Sequence, residues 1–332
     1  YTCLTLQKGL DNGLIEMINP EPAYLNHIAG MVSLNEIRSA GLNVVVDSMH
    51  GSGSRYISTI LEGGSTRVFE IRSDINPSFP GMIQPEPIEQ NLSLLKSKIS
   101  DVNGDVGLAT DGDADRLGLV DEDGNYISTL HTFALICLHM LEGLNMKGSL
   151  VRSITMTNMI NKLGEIYNVP VLDTPVGFKH IGPVMMEEDA IAAGEESGGY
   201  AFQGHIPERD GILSALFILD MMVKTGKNPS ELLDDLEQKV GKHFYNRIDV
   251  PFNQNQKEDI IKRVSEFAPH TLADHRVFEI DTRDGFRFIL DNGSWALIRF
   301  SGTEPLLRIY AEAESQESVE TLISACRDIT EI

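Results

Sequence analysis

The sequence predicts an α/β protein in which two α/β domains with mixed, mostly parallel sheets are followed by a C-terminal α+β domain. Before Gly241, β-branched runs such as Leu42–Asp47 alternate with segments of helical periodicity, as in parallel sheets. After Gly241 the strand-like runs lie close together. The pairs Asp284-Gly285 and Asn292-Gly293 there predict hairpin turns of an antiparallel sheet. The 332 residues suffice for several cores.

The change of pattern also sets the expected domain boundaries. Residues 1–20 have a mixed composition and are interpreted as a linker from a preceding domain. The remainder divides into a first unit at residues 21–128, a second unit at 129–242 and a third unit at 243–332. Each unit is long enough to bury a core of its own.

Hydrophobic periodicity and breaker residues place the elements of the two α/β units. In the first unit we expect helices at 23–31, 54–62 and 88–99 and strands at 42–47, 67–71 and 106–109. In the second unit we expect strands at 150–154, 169–172 and 190–193 and helices at 131–144, 159–167, 180–187, 211–224 and 231–240. Ser230 is expected to cap the last of these helices.

The third unit carries a different pattern, in which short turns separate strand-like runs. The expected strands are 246–252, 277–281, 286–290, 296–300 and 307–311. The expected helices are 257–267 and 317–329. Neighbouring strands should therefore pair as antiparallel hairpins.

Composition excludes several classes of partner. The formal net charge of -22 and the pI near 4.7 disfavour nucleic acid and anionic membranes. An anionic ligand would need a local basic site. Cys3, Cys137 and Cys326 are few and far apart, so neither a disulfide framework nor a zinc site is expected. With no apolar run of membrane-spanning length, we expect a cytoplasmic protein.

The sequence feature with the clearest chemistry is the aspartate loop, residues 110–116. Asp111, Asp113 and Asp115 stand at alternate positions, separated by small residues, after the apolar run Val106–Ala109. In a tight loop their carboxylates can converge on one hard cation such as Mg²⁺, Mn²⁺ or Ca²⁺. Without a cation the three charges would repel one another.

The aspartate loop has two other interpretations. An EF-hand would place Asp111 at position one and Glu122 at position twelve, but Arg116 stands where that loop requires glycine. The flanking residues are also strand-like rather than helical. A solvated acidic turn, common in an acidic protein, remains an alternative.

Two further stretches place ligand-binding groups at strand ends. At 173–180, a strand-to-helix turn carries Lys179, a mobile cation suited to phosphate. In the glycine-rich loop, residues 194–199, small residues surround Glu195 and Ser197, whose carboxylate and hydroxyl suit sugar hydroxyls. A solvated lysine and an ordinary glycine-rich turn are the respective alternatives.

The arginine loop, residues 299–308, is the best phosphate candidate in so acidic a chain. Its ligand-binding groups are two guanidinium groups, two hydroxyls and the backbone of a turn. They belong to Arg299, Ser301, Gly302, Thr303 and Arg308. Together these groups can form an anion nest, which an ordinary hairpin would not need.

Four motifs, in this order, resemble those of the α-D-phosphohexomutases, the family of phosphoglucomutases, phosphomannomutases and phosphoglucosamine mutases. They are Asp-Gly-Asp-Ala-Asp-Arg at 111–116, Thr-Pro-Val-Gly-Phe-Lys at 174–179, Gly-Glu-Glu-Ser-Gly-Gly at 194–199 and Arg-Phe-Ser-Gly-Thr-Glu-Pro at 299–305. The loop at 47–53 is also similar to theirs. The resemblance runs from about residue 20 to the end of the sequence. It implies interconversion of hexose 1-phosphate and hexose 6-phosphate.

The resemblance also implies the roles of individual residues. The implied Mg²⁺ ligands are Asp111, Asp113 and Asp115. The implied substrate-binding residues are Gly177, Glu195, Ser197, Arg299, Ser301, Gly302, Thr303 and Arg308. The implied catalytic residues are Arg116, Lys179 and Arg209. A guanidinium is a poor acid or base near neutrality, so an electrostatic role is expected for Arg209 first.

One motif of the family has no counterpart in this sequence. The resemblance implies a first domain with a Thr-Ala-Ser-His-Asn-Pro loop, whose serine is phosphorylated and supplies a further metal ligand. We therefore expect domains two to four of a mutase, inactive alone. Its expected partners are the missing N-terminal domain and a glucose or mannose phosphate. A non-catalytic metal- and phosphosugar-binding protein and a metal-dependent sugar phosphatase are the alternatives.

Overall fold

The structure, a computed structural model, describes residues 3–267, 269–302 and 305–331. The chain begins with helices α1 (Leu6–Asp11), α2 (Glu21–Ala29) and α3 (Leu34–Ser39). Helix α1 lies inside the expected linker, where side chains such as Leu14 and Ile18 are exposed. Pro20 is the N-cap of helix α2 and Pro22 lies in its first turn, where a fixed φ suits a helix start.

The first sheet has both faces covered. Its strands are β1 (Asn43–Asp47), β2 (Arg67–Ile71), β3 (Val106–Thr110), β4 (Leu117–Val120) and β5 (Tyr126–Ile127), in the order β2-β1-β3-β4-β5. Strands β1 to β3 are parallel, and β4 and β5 are antiparallel to their neighbours. Val44 and Val46 pack on one face while Val45 packs on the other, which explains the continuous apolar run. The connecting helices are α4 (Tyr56–Leu61) and α5 (Ser93–Val102).

The second unit repeats the topology of the first. Its strands are β6 (Leu150–Ser153), β7 (Val171–Thr174), β8 (Ala192–Gly194) and β9 (Tyr200–Phe202), in the order β7-β6-β8-β9. Its helices are α6 (Thr129–Leu138), α7 (Met159–Tyr167), α8 (Phe178–Glu187), α9 (Gly211–Thr225) and α10 (Pro229–Val240). A π-helical turn, His139–Gly143, continues α6. In both sheets the first and third strands pair in parallel and the fourth is antiparallel.

The start of helix α10 corrects one prediction. Ser230 was expected to be the N-cap, but the cap is Asn228, whose backbone N–H donates to the carboxylate of Glu231 at 2.9 Å. Pro229 takes the first helical position, where its missing N–H leaves no donor unsatisfied. The hydroxyl of Ser230 instead donates to Glu122 of the first unit.

The third unit is an antiparallel sheet covered by helices. Its strands are β10 (Phe244–Pro251), β11 (Thr271–Leu272), β12 (His275–Asp281), β13 (Phe286–Leu290), β14 (Trp295–Phe300) and β15 (Leu306–Ala313). Their order is β10-β15-β14-β13-β12-β11. Helices α11 (Lys257–Phe267) and α12 (Gln316–Thr330) bury Ile260 and Leu322 against Ile298 and Ile309. The predicted fold class is confirmed.

The units are joined to different extents. One hydrophobic cluster runs through the first and second units, from Val46 to Phe133 and Leu216. A small cluster in which Trp295 packs with Ile154 joins the third unit to the second. The first and second units therefore form one continuous body, and the third unit is docked against it. Within the residues the structure describes, no helix has the length and apolarity needed to cross a bilayer.

Candidate functional site

The aspartate loop follows β3 at the carboxyl edge of the first sheet. Asp111 is buried, Asp115 is half-buried and Asp113 is exposed. One carboxylate oxygen from each lies within 4.8 Å of the others. Ala114 adopts φ +63°, which bends the chain so that alternate side chains converge. The predicted convergence of the three carboxylates is therefore present.

The electrostatics of this triad fit a cation. Burial and the neighbouring carboxylate of Asp115 raise the pKa of Asp111 to about 7. Burial also raises the pKa of Asp115, against the opposing charge of Arg209. Oδ1 of Asp115 is buried and accepts no hydrogen bond from the described residues. A purely carboxylate donor set of this kind suits Mg²⁺ or Mn²⁺.

The loop after β1 supports the aspartate loop from behind. The backbone N–H of Ser52 donates to the carbonyl of Gly112 at 3.0 Å. A Cβ atom at Gly51 would lie 2.6 Å from the same carbonyl oxygen, so only glycine allows this approach. The imidazole of His50 lies 3.0 Å from the carbonyl of Asp74. This loop therefore braces the aspartate loop by backbone contact.

The glycine-rich loop is paired with the aspartate loop across the boundary between the units. The N–H of Leu117 donates to the carbonyl of Gly198 at 3.0 Å, and Arg116 and Gly199 form an antiparallel bridge. These backbone bonds fix the position of the glycine-rich loop relative to the three aspartates.

The buried carboxylate of Glu195 lies between the other loops. Its Oε1 accepts the N–H of Gly177 at 2.8 Å, and its Oε2 lies 3.9 Å from Nη1 of Arg209. Burial raises the pKa of Glu195, against the opposing charge of Arg209. Gly177 has φ +118° just before α8, and Lys179 is exposed in the first turn of that helix. The second predicted stretch thus reaches the site through its backbone.

Two arginines tie the carboxylates together. Arg209 donates from Nη2 to Oδ2 of Asp115 at 2.7 Å. The Nε of Arg116 lies 3.5 Å from Asp111, and its Nη1 donates to Glu86 at 2.9 Å. Both guanidinium groups therefore offset part of the negative charge of the loop carboxylates.

In the arginine loop, Arg299 on β14 stands opposite Arg308 on β15. Nε of Arg299 donates to Asp284 at 2.9 Å, and the N–H of Ser301 donates to the carbonyl of Leu306 at 2.8 Å. A Cβ at Gly302 would meet open space. Thr303 lies outside the described residues.

Side chains from all three units line one cleft of about 620 Å³. The predicted residues among them are Arg116, Glu195, Ser197 and Arg308. Other lining residues were not predicted from the sequence, among them Glu86, Thr129, Arg247, Asp249 and Tyr310. The predicted residues outside this cleft are Asp111, Asp113, Asp115, Gly177, Lys179, Arg209, Arg299, Ser301 and Gly302. Arg209 nevertheless contacts Asp115 and Glu195. The structure therefore brings the glycine-rich loop and part of the arginine loop together.

Another cavity, of about 670 Å³, lies between the second and third units and is lined by none of the predicted residues. Its buried arginines are already paired. Nε of Arg152 donates to Asp173 at 2.6 Å, and Nη1 of Arg287 lies 3.6 Å from the same carboxylate. Both guanidinium groups therefore share one carboxylate within the protein.

Three family models match successive parts of the chain. Residues 22–124 match the phosphoglucomutase/phosphomannomutase alpha/beta/alpha domain II, residues 129–240 match domain III, and residues 248–329 match the C-terminal domain. The chain therefore belongs to the phosphoglucomutase/phosphomannomutase family.

Two kinds of mutase are similar to the chain, phosphoglucomutase/phosphomannomutases and phosphoglucosamine mutases. A phosphoglucomutase/phosphomannomutase of Thermococcus kodakarensis is 33% identical over 89% of this chain and 62% of its own length. A phosphoglucosamine mutase of Methanocaldococcus jannaschii is 31% identical over 90% of this chain and 64% of its own length. A crystal structure of a family protein from Burkholderia thailandensis has the same fold, with a TM-score of 0.81 at 22% identity over 98% of this chain and 69% of its own. The chain thus spans less than two thirds of the length of these two sequence relatives.

Proposed function

We propose that the chain binds a hexose phosphate and a divalent cation as part of an intramolecular phosphotransferase that interconverts hexose 1-phosphates and hexose 6-phosphates. The observation that carries this proposal is the shared cleft. Glu195 and Ser197 of the second unit line the same space as Arg308 of the third unit and Arg116 beside the aspartates. Groups suited to sugar hydroxyls and to a phosphate are thus within one small-ligand volume, and Arg116 connects that volume to the aspartate loop.

We assign the metal to the aspartate loop. Asp111, Asp113 and Asp115 would hold Mg²⁺, since their oxygens are close together and their charges are only partly compensated. When bound, the ion would supply positive charge next to a phosphoryl group during transfer. Arg116 and Arg209 contact the same carboxylates and would keep the loop in place.

We assign the sugar and its phosphate to the other two loops. The Oε2 atom of Glu195 and the hydroxyl of Ser197 would bind sugar hydroxyls, with Gly177 fixing the carboxylate through its backbone. Arg299, Arg308 and the turn containing Ser301, Gly302 and Thr303 would bind the substrate phosphate. Lys179, an exposed ammonium beside Gly177, would contact a phosphate oxygen.

Binding and turnover are separate parts of the proposal. Transfer between C1 and C6 needs a group that carries the phosphoryl while the sugar turns over. The resemblance gives this role to a serine in a Thr-Ala-Ser-His-Asn-Pro motif, which does not occur in these 332 residues. We propose that another domain supplies that serine, and that the chain alone binds the substrate without interconverting it.

Titration calorimetry tests the binding part. The chain should bind glucose 1-phosphate, and Glu195→Gln should weaken this binding about tenfold because it removes a charge-assisted bond to a hydroxyl. The matched control is Glu188→Gln, an exposed glutamate of the same unit, which should leave binding unchanged. Equal binding by Glu195→Gln and the parent would contradict the assigned sugar site.

Parallel titrations with mannose 1-phosphate and glucosamine 1-phosphate would show which sugar phosphate binds most tightly. The relatives do not decide this, because both phosphoglucomutase/phosphomannomutases and phosphoglucosamine mutases are among them. Release of inorganic phosphate from any of them would instead support the alternative of a metal-dependent sugar phosphatase.

A further inference from the structure

A chain of four alternating charges connects the glycine-rich loop with the arginine loop. Nη1 of Arg247 donates to both carboxylate oxygens of Glu196, at 3.1 and 3.2 Å. Nε of Arg247 lies 2.9 Å from Oδ1 of Asp249, and Oδ2 of Asp249 lies 3.5 Å from Nε of Arg308. All four residues line the 620 Å³ cleft. The order is therefore Glu196, Arg247, Asp249 and Arg308.

The fold fixes this order. Arg247 and Asp249 are two apart on β10, so they share one face of the sheet. Asp249 stands directly opposite Arg308 on β15. Glu196 belongs to the second unit, where its carbonyl accepts the hydroxyl of Thr129 at 2.7 Å. Arg247 is thus a side chain of the third unit that reaches across the cleft to the sugar-binding candidate loop.

Stability of the fold alone does not account for the ion pairs of Arg247. Arg247 is about one-third exposed, and exposed ion pairs contribute little to stability. Glu196 belongs to the glycine-rich loop, whereas Asp249 stands opposite Arg308 of the arginine loop. Arg247 contacts both carboxylates at once.

We propose that Arg247, together with Asp249, is a positioning residue that fixes the arginine loop relative to the glycine-rich loop, so that one ligand engages both. This inference rests on the proposed function, since it takes the two loops as the phosphate and sugar sites. Arg247 acts on the glycine-rich loop through Glu196, and it acts on Arg308 of the arginine loop through Asp249. A ligand that uses both loops depends on Arg247, and a ligand that uses the arginine loop alone does not.

The experiment compares two ligands by calorimetry. Arg247→Ala should weaken glucose 1-phosphate binding about fivefold and leave inorganic phosphate binding within about twofold. Arg247→Lys should restore part of the glucose 1-phosphate affinity, because an ammonium can still reach one carboxylate. Arg276→Ala, which removes an exposed arginine of the same unit, is the matched control and should change neither.

A double-mutant cycle gives an independent measurement. Arg247→Ala and Glu196→Gln should be non-additive, because each removes the same contact. Equal weakening of both ligands by Arg247→Ala would make Arg247 a direct phosphate ligand and overturn the positioning role. Additive effects, or no effect on glucose 1-phosphate, would also overturn it. If instead Arg299→Ala and Glu195→Gln leave glucose 1-phosphate binding intact, the proposed function itself fails.

Discussion

Arg209 of the second unit donates from Nη2 to Oδ2 of Asp115 in the first unit at 2.7 Å. The same segment is anchored by its backbone, since the N–H of Gly211 donates to the carbonyl of Ala114 at 2.9 Å. Because Nη1 of Arg209 also lies 3.9 Å from Glu195, one guanidinium connects the aspartate loop with the glycine-rich loop. The electrostatics of the two candidate sites are therefore coupled.

The first prediction concerns the metal. Asp113→Ala should weaken Mg²⁺ or Mn²⁺ binding at least about tenfold, because it removes one of three carboxylate ligands that lie close together. Calorimetric titration of the parent chain and the variant measures this. Asp123→Ala, in an exposed turn of the same unit, should bind the ion like the parent. Equal affinities for Asp113→Ala and the parent would remove the metal assignment.

The second prediction concerns the phosphate. Arg299→Ala should weaken glucose 1-phosphate binding about tenfold or more, since a charge-assisted anion contact contributes on the order of 1.5–3 kcal/mol. The variant also releases Asp284, whose carboxylate accepts the N–H of Val176 at 3.0 Å. Thermal unfolding of the variant should therefore be measured alongside binding. Arg276→Ala again serves as the control. If Arg299→Ala binds glucose 1-phosphate as tightly as the parent, the phosphate site lies elsewhere.

Sequence periodicity predicted the longer elements because each carries several core residues. It failed where tertiary contacts decide. Residues 88–99 were expected to form one helix, but a 3₁₀ turn, Glu89–Asn91, precedes α5. There the side-chain amide of Asn91 donates to the carbonyls of Gln84 and Glu86, which holds the turn apart from the helix. The strands Tyr200–Phe202 and Tyr126–Ile127 were not predicted, because segments this short cannot show a periodicity.

The site could be predicted where its chemistry is local. The convergence of Asp111 and Asp115 follows from spacing within one loop. By contrast, Arg247 and Asp249 carry no recognisable motif, and their place in the cleft depends on β10 pairing with β15 across a long stretch of sequence. The alternation of opposite charges on β10 is a signal only once that pairing is known.

The third prediction concerns a contact behind the site. The hydroxyl of Tyr24 donates to both carboxylate oxygens of Asp210, at 3.0 and 2.9 Å, and Asp210 caps helix α9 beside Arg209. Tyr24→Phe should lower the free energy of unfolding by roughly 1.5–3 kcal/mol, as expected for a hydrogen bond to a charged group. Urea denaturation measures this. Tyr56→Phe is the control, because the Tyr56 hydroxyl makes no hydrogen bond with the described residues; equal stability of both variants would contradict the prediction.

The fourth prediction concerns pH. Burial lowers the pKa of His131 to about 4, from 6.5 for a free imidazole. The charge of nearby Glu312 raises this pKa, and that of His243 lowers it. Between pH 6.5 and 4 the unfolded state takes up a proton that the folded state does not. Stability from this group is therefore complete above pH 6.5 and is lost as the pH falls towards 4, by up to roughly 3 kcal/mol.

Urea denaturation of the parent chain and His131→Gln over this pH range isolates the contribution. The difference in unfolding free energy between them should shrink as the pH falls, because only the parent carries the titrating group. Gln238→Ala, which removes an exposed uncharged side chain of the same unit, should run parallel to the parent. A constant difference between the parent and His131→Gln would show that His131 does not titrate as expected.

The last prediction is that the 332 residues alone do not interconvert glucose 1-phosphate and glucose 6-phosphate. Two serines near His50 are the in-chain substitutes for a phosphoryl carrier. Ser48 is buried and donates to Glu70 at 2.8 Å, so it is already engaged, whereas Ser52 is exposed beside the aspartate loop. A coupled assay with Mg²⁺ and a bisphosphate activator should show no turnover by the chain. Addition of a family domain that carries the phosphorylated serine, in trans or fused, should restore it. Turnover by the chain alone that Ser52→Ala abolishes would instead make Ser52 the carrier and overturn the proposed division of roles.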